Sequence, residues 1–174
     1  SDEIIENIRK KYDFEVEVLS GHDEGITTSI GVLHFMDNSE NFLIVDIGGR
    51  STEFIYESEN KIISKSLNLG VVTLSEKYFS NLPINPELID EVKLTITTEL
   101  SQLNIKDKKN VIGVSGTALS LASIFLDQQT FREEDLHEVK IDIDSVQEIN
   151  NRLLKMTEAE IITQFKGIDP NKVK

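Results

Sequence analysis

The run Asn41–Ile47 (NFLIVDI) and the two glycines after it constrain the fold of this chain more than any other feature. The run is nearly continuous in apolar side chains, which is typical of a strand buried on both faces. It closes on Asp46 and Ile47, and Gly48-Gly49 then break it. Because such a strand needs helices packed on both faces of its sheet, the sequence predicts an α/β architecture.

Further strand patterns predict a central mixed sheet of five strands. Two alternating segments flank a turn at Ser58-Glu59-Asn60 and predict a hairpin that continues the buried strand as a meander. The predicted strands are Phe14–Leu19, Asn41–Ile47, Thr52–Glu57, Lys61–Leu67 and Asn110–Val114, with Val139–Ile143 as a small additional edge strand.

Helical spacing of apolar residues occurs between these strands, so helices are expected on both faces of the sheet in one domain, 1–174. Asn85-Pro86 predicts the start of one helix, Asp144 can cap another, and Thr157 with Glu160 forms the pattern of a capping box. The predicted helices cover residues 2–12, 22–36, 71–79, 85–103, 115–126, 144–154 and a segment after 157.

Composition narrows the range of partners. The formal net charge is −13, whereas nucleic-acid binding needs a basic surface, so we expect no nucleic acid. A phosphate-rich ligand would also be repelled at long range, and its binding would need backbone N–H groups, a metal ion or a partner lobe. The sequence has no cysteine and no apolar run of membrane-spanning length, so we expect a cytoplasmic protein without disulfides, thiolate metal sites or membrane contact.

The turn Asp46–Glu53 (DIGGRSTE) places small residues directly after the buried strand. Its glycines let the backbone approach an anion, and successive N–H groups can form a concavity for phosphate oxygens. Ser51 and Thr52 add hydroxyl donors, and a carboxylate at the strand end can hold a metal ion or a water. The alternative is a plain Gly-Gly hairpin turn in which Asp46 acts as a cap.

The segment Gly113–Thr117 (GVSGT) joins a predicted strand to a predicted helix. A helix N-terminus carries free N–H groups and a partial positive charge, which favour phosphate. The alternative is a helix start capped by Ser115 or Thr117.

An acidic loop, Ser20–Gly25 (SGHDEG), follows the first predicted strand. Glu24 in this loop could accept a proton from an attacking water. The alternative is that Asp23 and Glu24 only stabilise the first turn of a helix.

Taken in order, these segments resemble the exopolyphosphatase and guanosine pentaphosphate phosphohydrolase (Ppx/GppA) family of the actin-like ATPase superfamily. The resemblance covers about residues 14–126. The family motif ISGxEEA is similar to VLSGHDEG, DIGGGSTE to DIGGRSTE at 46–53, LxLGxVxLxExxF to the segment from Leu67 to Phe79, and GxGGTxxxLA to GVSGTALSLA at 113–122.

The resemblance implies an actin-like (ribonuclease H-like) second lobe, with the N-terminal lobe and a C-terminal extension absent from the chain. It implies release of terminal phosphate from inorganic polyphosphate, or of the 5′-phosphate of pppGpp, with Mg²⁺ as cofactor. Glu24 would be the general base, and Asp46 and Glu53 would hold Mg²⁺ or orient the water. The phosphate-binding residues would be Gly48, Gly49, Arg50, Ser51, Thr52, Gly70, Gly116 and Thr117. The expected partners are the substrate and the missing lobe, and a homodimer is compatible with the sequence.

Two residues depart from the family pattern: Arg50 replaces the third glycine of the first turn, and Ser115 replaces a glycine of the second. Arg50 either crowds the phosphate and changes the backbone or supplies a cation to it. The departures favour a rival reading, a non-catalytic binding or regulatory lobe. A kinase-like phosphotransferase shares the superfamily turns, but the Glu24 segment matches the hydrolase pattern better.

Overall fold

The computed structural model describes residues 2–34, 41–79, 85–105, 107–108 and 110–168. Among them, four strands form one mixed sheet. The strands are β1 (Phe42–Ile47), β2 (Thr52–Ser58), β3 (Lys61–Leu67) and β4 (Asn110–Val114). They lie in the order β3-β2-β1-β4. The β1–β2 and β2–β3 pairs are antiparallel, whereas β1 and β4 run parallel.

Helices connect and cover these strands, as the order of the sequence patterns predicts. They are α1 (Asp2–Tyr12), α2 (Gly21–His34), α3 (Val71–Tyr78), α4 (Pro86–Leu100), α5 (Ser115–Phe125), α6 (Ile143–Leu153) and α7 (Glu158–Gln164). The described residues contain no helix that is both long enough and apolar enough to cross a lipid bilayer.

The core has two layers because each central strand buries side chains on both faces of the sheet. On one face Phe42, Ile44 and Ile55 are almost fully buried, and Val32 and Leu33 of α2 pack against them. The opposite face carries a second cluster, which meets the end of α4 and the loop after it. Its buried members are Leu43, Phe54, Tyr56 and Leu103. The continuous apolar run in β1 is thus explained by helical cover on both sides.

The predicted five-stranded sheet is wrong in its first strand. Residues 13–20 form no helix or strand, and Phe14 and Val18 are 65% and 70% exposed. The alternation of FEVEVL fits an extended backbone, but a strand also needs a neighbour to bond its N–H and C=O groups. No described strand pairs with this segment.

The additional edge strand at Val139–Ile143 is also wrong, since α6 begins at Ile143. The cap of α6 is Asp142, not Asp144, and the Asp142 carboxylate accepts a hydrogen bond from the Ser145 amide at 2.9 Å. This bond to the backbone and one from the Ser145 hydroxyl lower the pKa of Asp142. The alternation of Val139, Ile141 and Ile143 fits a strand, but the Asp142 cap starts a helix at Ile143.

The other helix ends follow their sequence signals with small shifts. Asn85 caps α4 with Pro86 in its first turn, and Thr157 with Glu160 forms the capping box of α7. The helix α4 ends at Leu100, three residues before the predicted end at Leu103. Residues 35–36, at the predicted end of the second helix, lie outside the described residues.

Candidate active site

The turn between β1 and β2 is short and closed by one hydrogen bond. The Gly48 amide donates to the Ser51 carbonyl at 3.0 Å, just beyond the last paired residues, Ile47 and Thr52. A Cβ on Gly48 would lie 3.2 Å from the same carbonyl oxygen. Glycine thus gives room for this close approach of backbone to backbone, and no described glycine has a positive φ.

The start of α3 holds this turn from one side through its backbone amides. The Val71 amide donates to the Gly48 carbonyl at 3.0 Å, and the Val72 amide to the Gly49 carbonyl at 2.8 Å. The Arg50 carbonyl accepts two further bonds, from the Gly70 amide and the Thr73 hydroxyl, at 3.2 and 2.9 Å. The carbonyls of the turn are thereby drawn towards α3. The helix N-terminus positions the turn and is not itself open to a ligand.

The carbonyls of the turn accept bonds from α3, whereas three of its amides remain available to a ligand. The amides of Gly49, Arg50 and Ser51 donate no hydrogen bond to any other described residue. Successive backbone N–H groups of this kind form an anion-binding concavity. The two hydroxyl-bearing residues differ in placement: Ser51 is half-buried, whereas Thr52 is buried and its hydroxyl donates to the Leu69 carbonyl at 3.0 Å. Thr52 thus stabilises the fold behind the turn.

Gly70 lies directly against the backbone of the turn. A Cβ at this position would overlap the backbone N and C atoms of Arg50 and the C atom of Gly49. Gly70 therefore supports the turn from behind, and its lack of a side chain allows α3 to approach closely enough to make the bonds above.

The second turn meets the first because β4 runs parallel to β1. Val114 at the end of β4 lies beside Asp46 in the register of the sheet. The Thr117 hydroxyl, in the first turn of α5, donates to the Ile47 carbonyl at 3.0 Å and ties the two turns together. The Gly116 and Thr117 amides lie in that first turn, where helix N–H groups have no intrahelical acceptor. The two glycine-containing turns therefore lie side by side at one edge of the sheet.

Two carboxylates lie side by side just before and after the first turn. Asp46 and Glu53 are direct cross-strand partners. Each lies two residues along its strand from Ile44 or Ile55, so both carboxylates are on the face of the sheet that α2 covers. Glu53 is only 9% exposed, and its Oε1 accepts a 2.7 Å hydrogen bond from the Ser66 hydroxyl on β3. A pair of oxygen ligands of this type suits Mg²⁺, which is usually bound by one or two carboxylates together with substrate phosphates. No group of three metal-ligating side chains occurs within the described ranges.

The proposed base, Glu24, lies in the exposed first turn of α2. This end of α2 packs closely on β3, since a Cβ on Gly25 would overlap the Ser64 side chain, and one on Gly21 would lie 3.6 Å from Ser66 Cβ. Ser66 is the residue that bonds Glu53, so the start of α2 and the carboxylate pair share one end of the sheet. Sequence reasoning missed this contact, although the four-residue spacing of Gly21 and Gly25 is the signal of a closely packed helix.

Comparison with known proteins agrees with this geometry. The chain matches the Ppx/GppA phosphatase family over residues 1–174. The chain belongs to this family. Among curated Ppx/GppA relatives, a guanosine-5'-triphosphate,3'-diphosphate pyrophosphatase of Vibrio parahaemolyticus is 37% identical over 119 residues, which is 65% of this chain and 24% of the relative. A Haemophilus influenzae protein named as an exopolyphosphatase is 26% identical over 129 residues, 71% of this chain and 40% of that protein.

Solved Ppx/GppA structures share the fold. The Aquifex aeolicus Ppx/GppA enzyme superposes with a TM-score of 0.90 at 22% identity, and the match covers 99% of this chain and 58% of that one. The chain therefore spans little more than half of that solved structure and less than half of the curated Ppx/GppA relatives given above.

The two departures from the Ppx/GppA pattern have different structural outcomes. Arg50 has a negative φ, which any residue adopts, so an arginine at this place does not force another backbone conformation. Its side chain is 77% exposed and lies 3.6 Å from Glu76, measured from Nη1 to Oε2. Ser115, in contrast, has a φ of 65°, in the left-handed region that favours glycine. Neither Ser115 nor Thr117 caps α5, whose N-cap is Val114 without a side-chain bond.

Replacing Ser115 with glycine is expected to raise the free energy of unfolding by about 0.5 kcal/mol. The relief of left-handed strain, roughly 1 kcal/mol, outweighs the added flexibility of the unfolded chain. Ser115→Val should lower it by about 1–2 kcal/mol, because β-branched residues are outliers at positive φ. Urea unfolding followed by circular dichroism measures both.

The matched control is Ser120→Gly, later in the same helix and without a positive φ. This variant should lose about 0.5 kcal/mol, as glycine does inside a helix. Equal losses for Ser115→Gly and Ser120→Gly would contradict the strained conformation of Ser115.

Proposed function

We propose that this chain forms the phosphate-binding lobe of a phosphoanhydride hydrolase. The enzyme releases terminal phosphate from inorganic polyphosphate or the 5′-phosphate from pppGpp. One observation carries the proposal: two turns meet at the ends of parallel strands β1 and β4, and the first presents the amides of Gly49, Arg50 and Ser51 without acceptors. Membership of the Ppx/GppA phosphatase family and the name of the Vibrio relative support the reaction class.

The turns bind the phosphate and stabilise its charge. In phosphoryl transfer the charge spreads over the equatorial oxygens of the transferred group, and catalysis is mostly positioning and electrostatic stabilisation. The open amides of the first turn hold these oxygens, and the amides of Gly116 and Thr117 approach from the second turn. Because α3 fixes the carbonyls of the first turn, the amide donors are in place before the substrate arrives.

Three carboxylates take part in hydrolysis of the phosphoanhydride bond. The water oxygen bonds to the terminal phosphorus, the water proton moves to the Glu24 carboxylate, and the bond from phosphorus to the bridging oxygen breaks with its electrons on the leaving chain. The products are orthophosphate and a chain shortened by one phosphate. Asp46 and Glu53 would hold Mg²⁺, which when bound neutralises phosphate charge.

The net charge of −13 makes this local arrangement necessary. A polyanion is repelled by the lobe as a whole, so backbone amides, Arg50 and a cation at the carboxylate pair must offset that repulsion at the turn. A second lobe would complete the cleft. We therefore expect the 174-residue chain by itself to be inactive.

The experiment is an assay of phosphate release from polyphosphate and from pppGpp with Mg²⁺. It compares this chain alone with a longer protein in which this chain is joined to the lobe that completes the cleft. We expect release from at least one substrate by the longer protein and none by the isolated chain. Tight binding of both substrates without release would instead support the non-catalytic lobe. If the longer protein neither binds these substrates nor releases phosphate from them, the proposed function is refuted.

A further inference from the structure

Arg50 and Glu76 belong to one rigid unit that includes the phosphate turn. The backbone of Arg50 is fixed because its carbonyl accepts bonds from Gly70 and Thr73, and because Gly70 contacts its N and C atoms. Glu76 lies on α3, three residues after Thr73. Since the backbones of both residues are held, only their side chains are free to change partners.

Arg50 lies in the middle of the part of the turn that carries the open amides. The Arg50 amide lies between those of Gly49 and Ser51 and donates to no other described residue, so the Arg50 side chain starts from the anion-binding part of the turn. It is the only basic residue in the segment 46–53, which otherwise carries two carboxylates. An arginine is well suited to phosphate because its planar group offers several N–H donors.

The contact between Arg50 and Glu76 is weak enough to be exchanged. The closest nitrogen and oxygen are 3.6 Å apart, which is an ion pair but too long for a good hydrogen bond. The two side chains are 77% and 63% exposed. Exposed ion pairs contribute little to the free energy of folding. A phosphate group carries more charge and more acceptor oxygens than a carboxylate, so it competes well for the arginine.

We propose that Glu76 competes with the substrate for the guanidinium of Arg50, so that this pair sets the affinity of the turn for phosphate chains. The proposal rests on the proposed function above. Before substrate binds, Glu76 holds Arg50 away from the turn amides; a bound phosphate chain displaces Glu76 and takes the guanidinium. Glu76 thereby weakens substrate binding without contacting the reacting atoms.

The experiment is a double-mutant cycle in the longer protein, with KM and kcat for phosphate release and calorimetric binding of inorganic tripolyphosphate. Glu76→Gln should lower KM and Kd about two- to five-fold, as expected for loss of an exposed competing ion pair. Arg50→Gln should raise both about ten-fold or more, since a charge-assisted bond to phosphate is lost. With Arg50→Gln present, Glu76→Gln should change neither constant.

The control is Glu134→Gln, which makes the same charge change in another exposed arginine pair, Glu134 with Arg132, on a separate turn. It should leave KM, Kd and kcat unchanged. If Glu76→Gln lowers KM equally with and without Arg50, general repulsion explains the effect and the proposal is wrong. If the wild type releases phosphate but Glu76→Gln changes nothing, only the competition is refuted, whereas a wild type that neither binds tripolyphosphate nor releases phosphate overturns the proposed function as well.

Discussion

Replacing Gly70 with alanine is expected to lower kcat/KM of the longer protein by on the order of 100-fold, because displacement of catalytic groups by about an ångström has effects of this size. The new Cβ would overlap backbone atoms of Gly49 and Arg50, which cannot move aside as a flexible side chain could. The turn and α3 must separate, and the bonds that hold the carbonyls of Gly48, Gly49 and Arg50 are strained or lost. The free energy of unfolding should fall by about 2–3 kcal/mol, as in overpacked cores.

Steady-state kinetics of the longer protein and denaturant unfolding of this chain measure the two effects. The matched control is Gly31→Ala in α2, where an added Cβ meets no atom within 4 Å. This substitution should leave kcat/KM unchanged and stabilise the chain by up to about 1 kcal/mol, because alanine favours helix. Wild-type activity in Gly70→Ala would show that the contact between Gly70 and the turn does not position the site.

Replacing Glu24 with glutamine is expected to lower kcat by about 10²–10⁴-fold, the usual contribution of a general base. Glutamine keeps the size and hydrogen-bonding capacity of the side chain but cannot take the proton of the attacking water. Because Glu24 lies in an exposed first turn, its loss should not affect folding, and Kd for tripolyphosphate should stay close to that of the wild type.

Single-turnover phosphate release, with calorimetry for binding, separates the two properties. Glu17→Gln serves as the control, since it neutralises an exposed carboxylate seven residues earlier and should keep wild-type turnover. Full turnover in Glu24→Gln would remove Glu24 from the mechanism, while a joint loss of binding and stability would indicate a structural role.

The placement of the two turns could be predicted from the sequence because it depends on local signals. A continuous apolar run followed by glycines identifies a buried strand and its end, and parallel strands bring their carboxyl ends to one edge of a sheet. Asp46 thus lies near the end of β1 and Thr117 in the helix turn directly after β4, beside each other at one edge of the sheet.

The contacts that position the turns could not be predicted, because they join residues far apart in the chain. The amides of Val71 and Val72 bond the turn carbonyls, and the Ser66 hydroxyl bonds Glu53, yet no spacing in the sequence shows either contact. The failed strand at Phe14–Leu19 has the same cause: its alternation is local, whereas its pairing partner is not. The positive φ of Ser115 is visible only as a departure from a glycine pattern.

The most direct test of the central claim is a crystal structure of the longer protein carrying Glu24→Gln, with inorganic tripolyphosphate and Mg²⁺. We expect oxygens of the terminal phosphate within hydrogen-bond distance, about 2.7–3.2 Å, of the amides of Gly49, Arg50 and Ser51, with Mg²⁺ beside Asp46 and Glu53. A phosphate chain bound elsewhere, with these three amides facing water, would contradict this expectation.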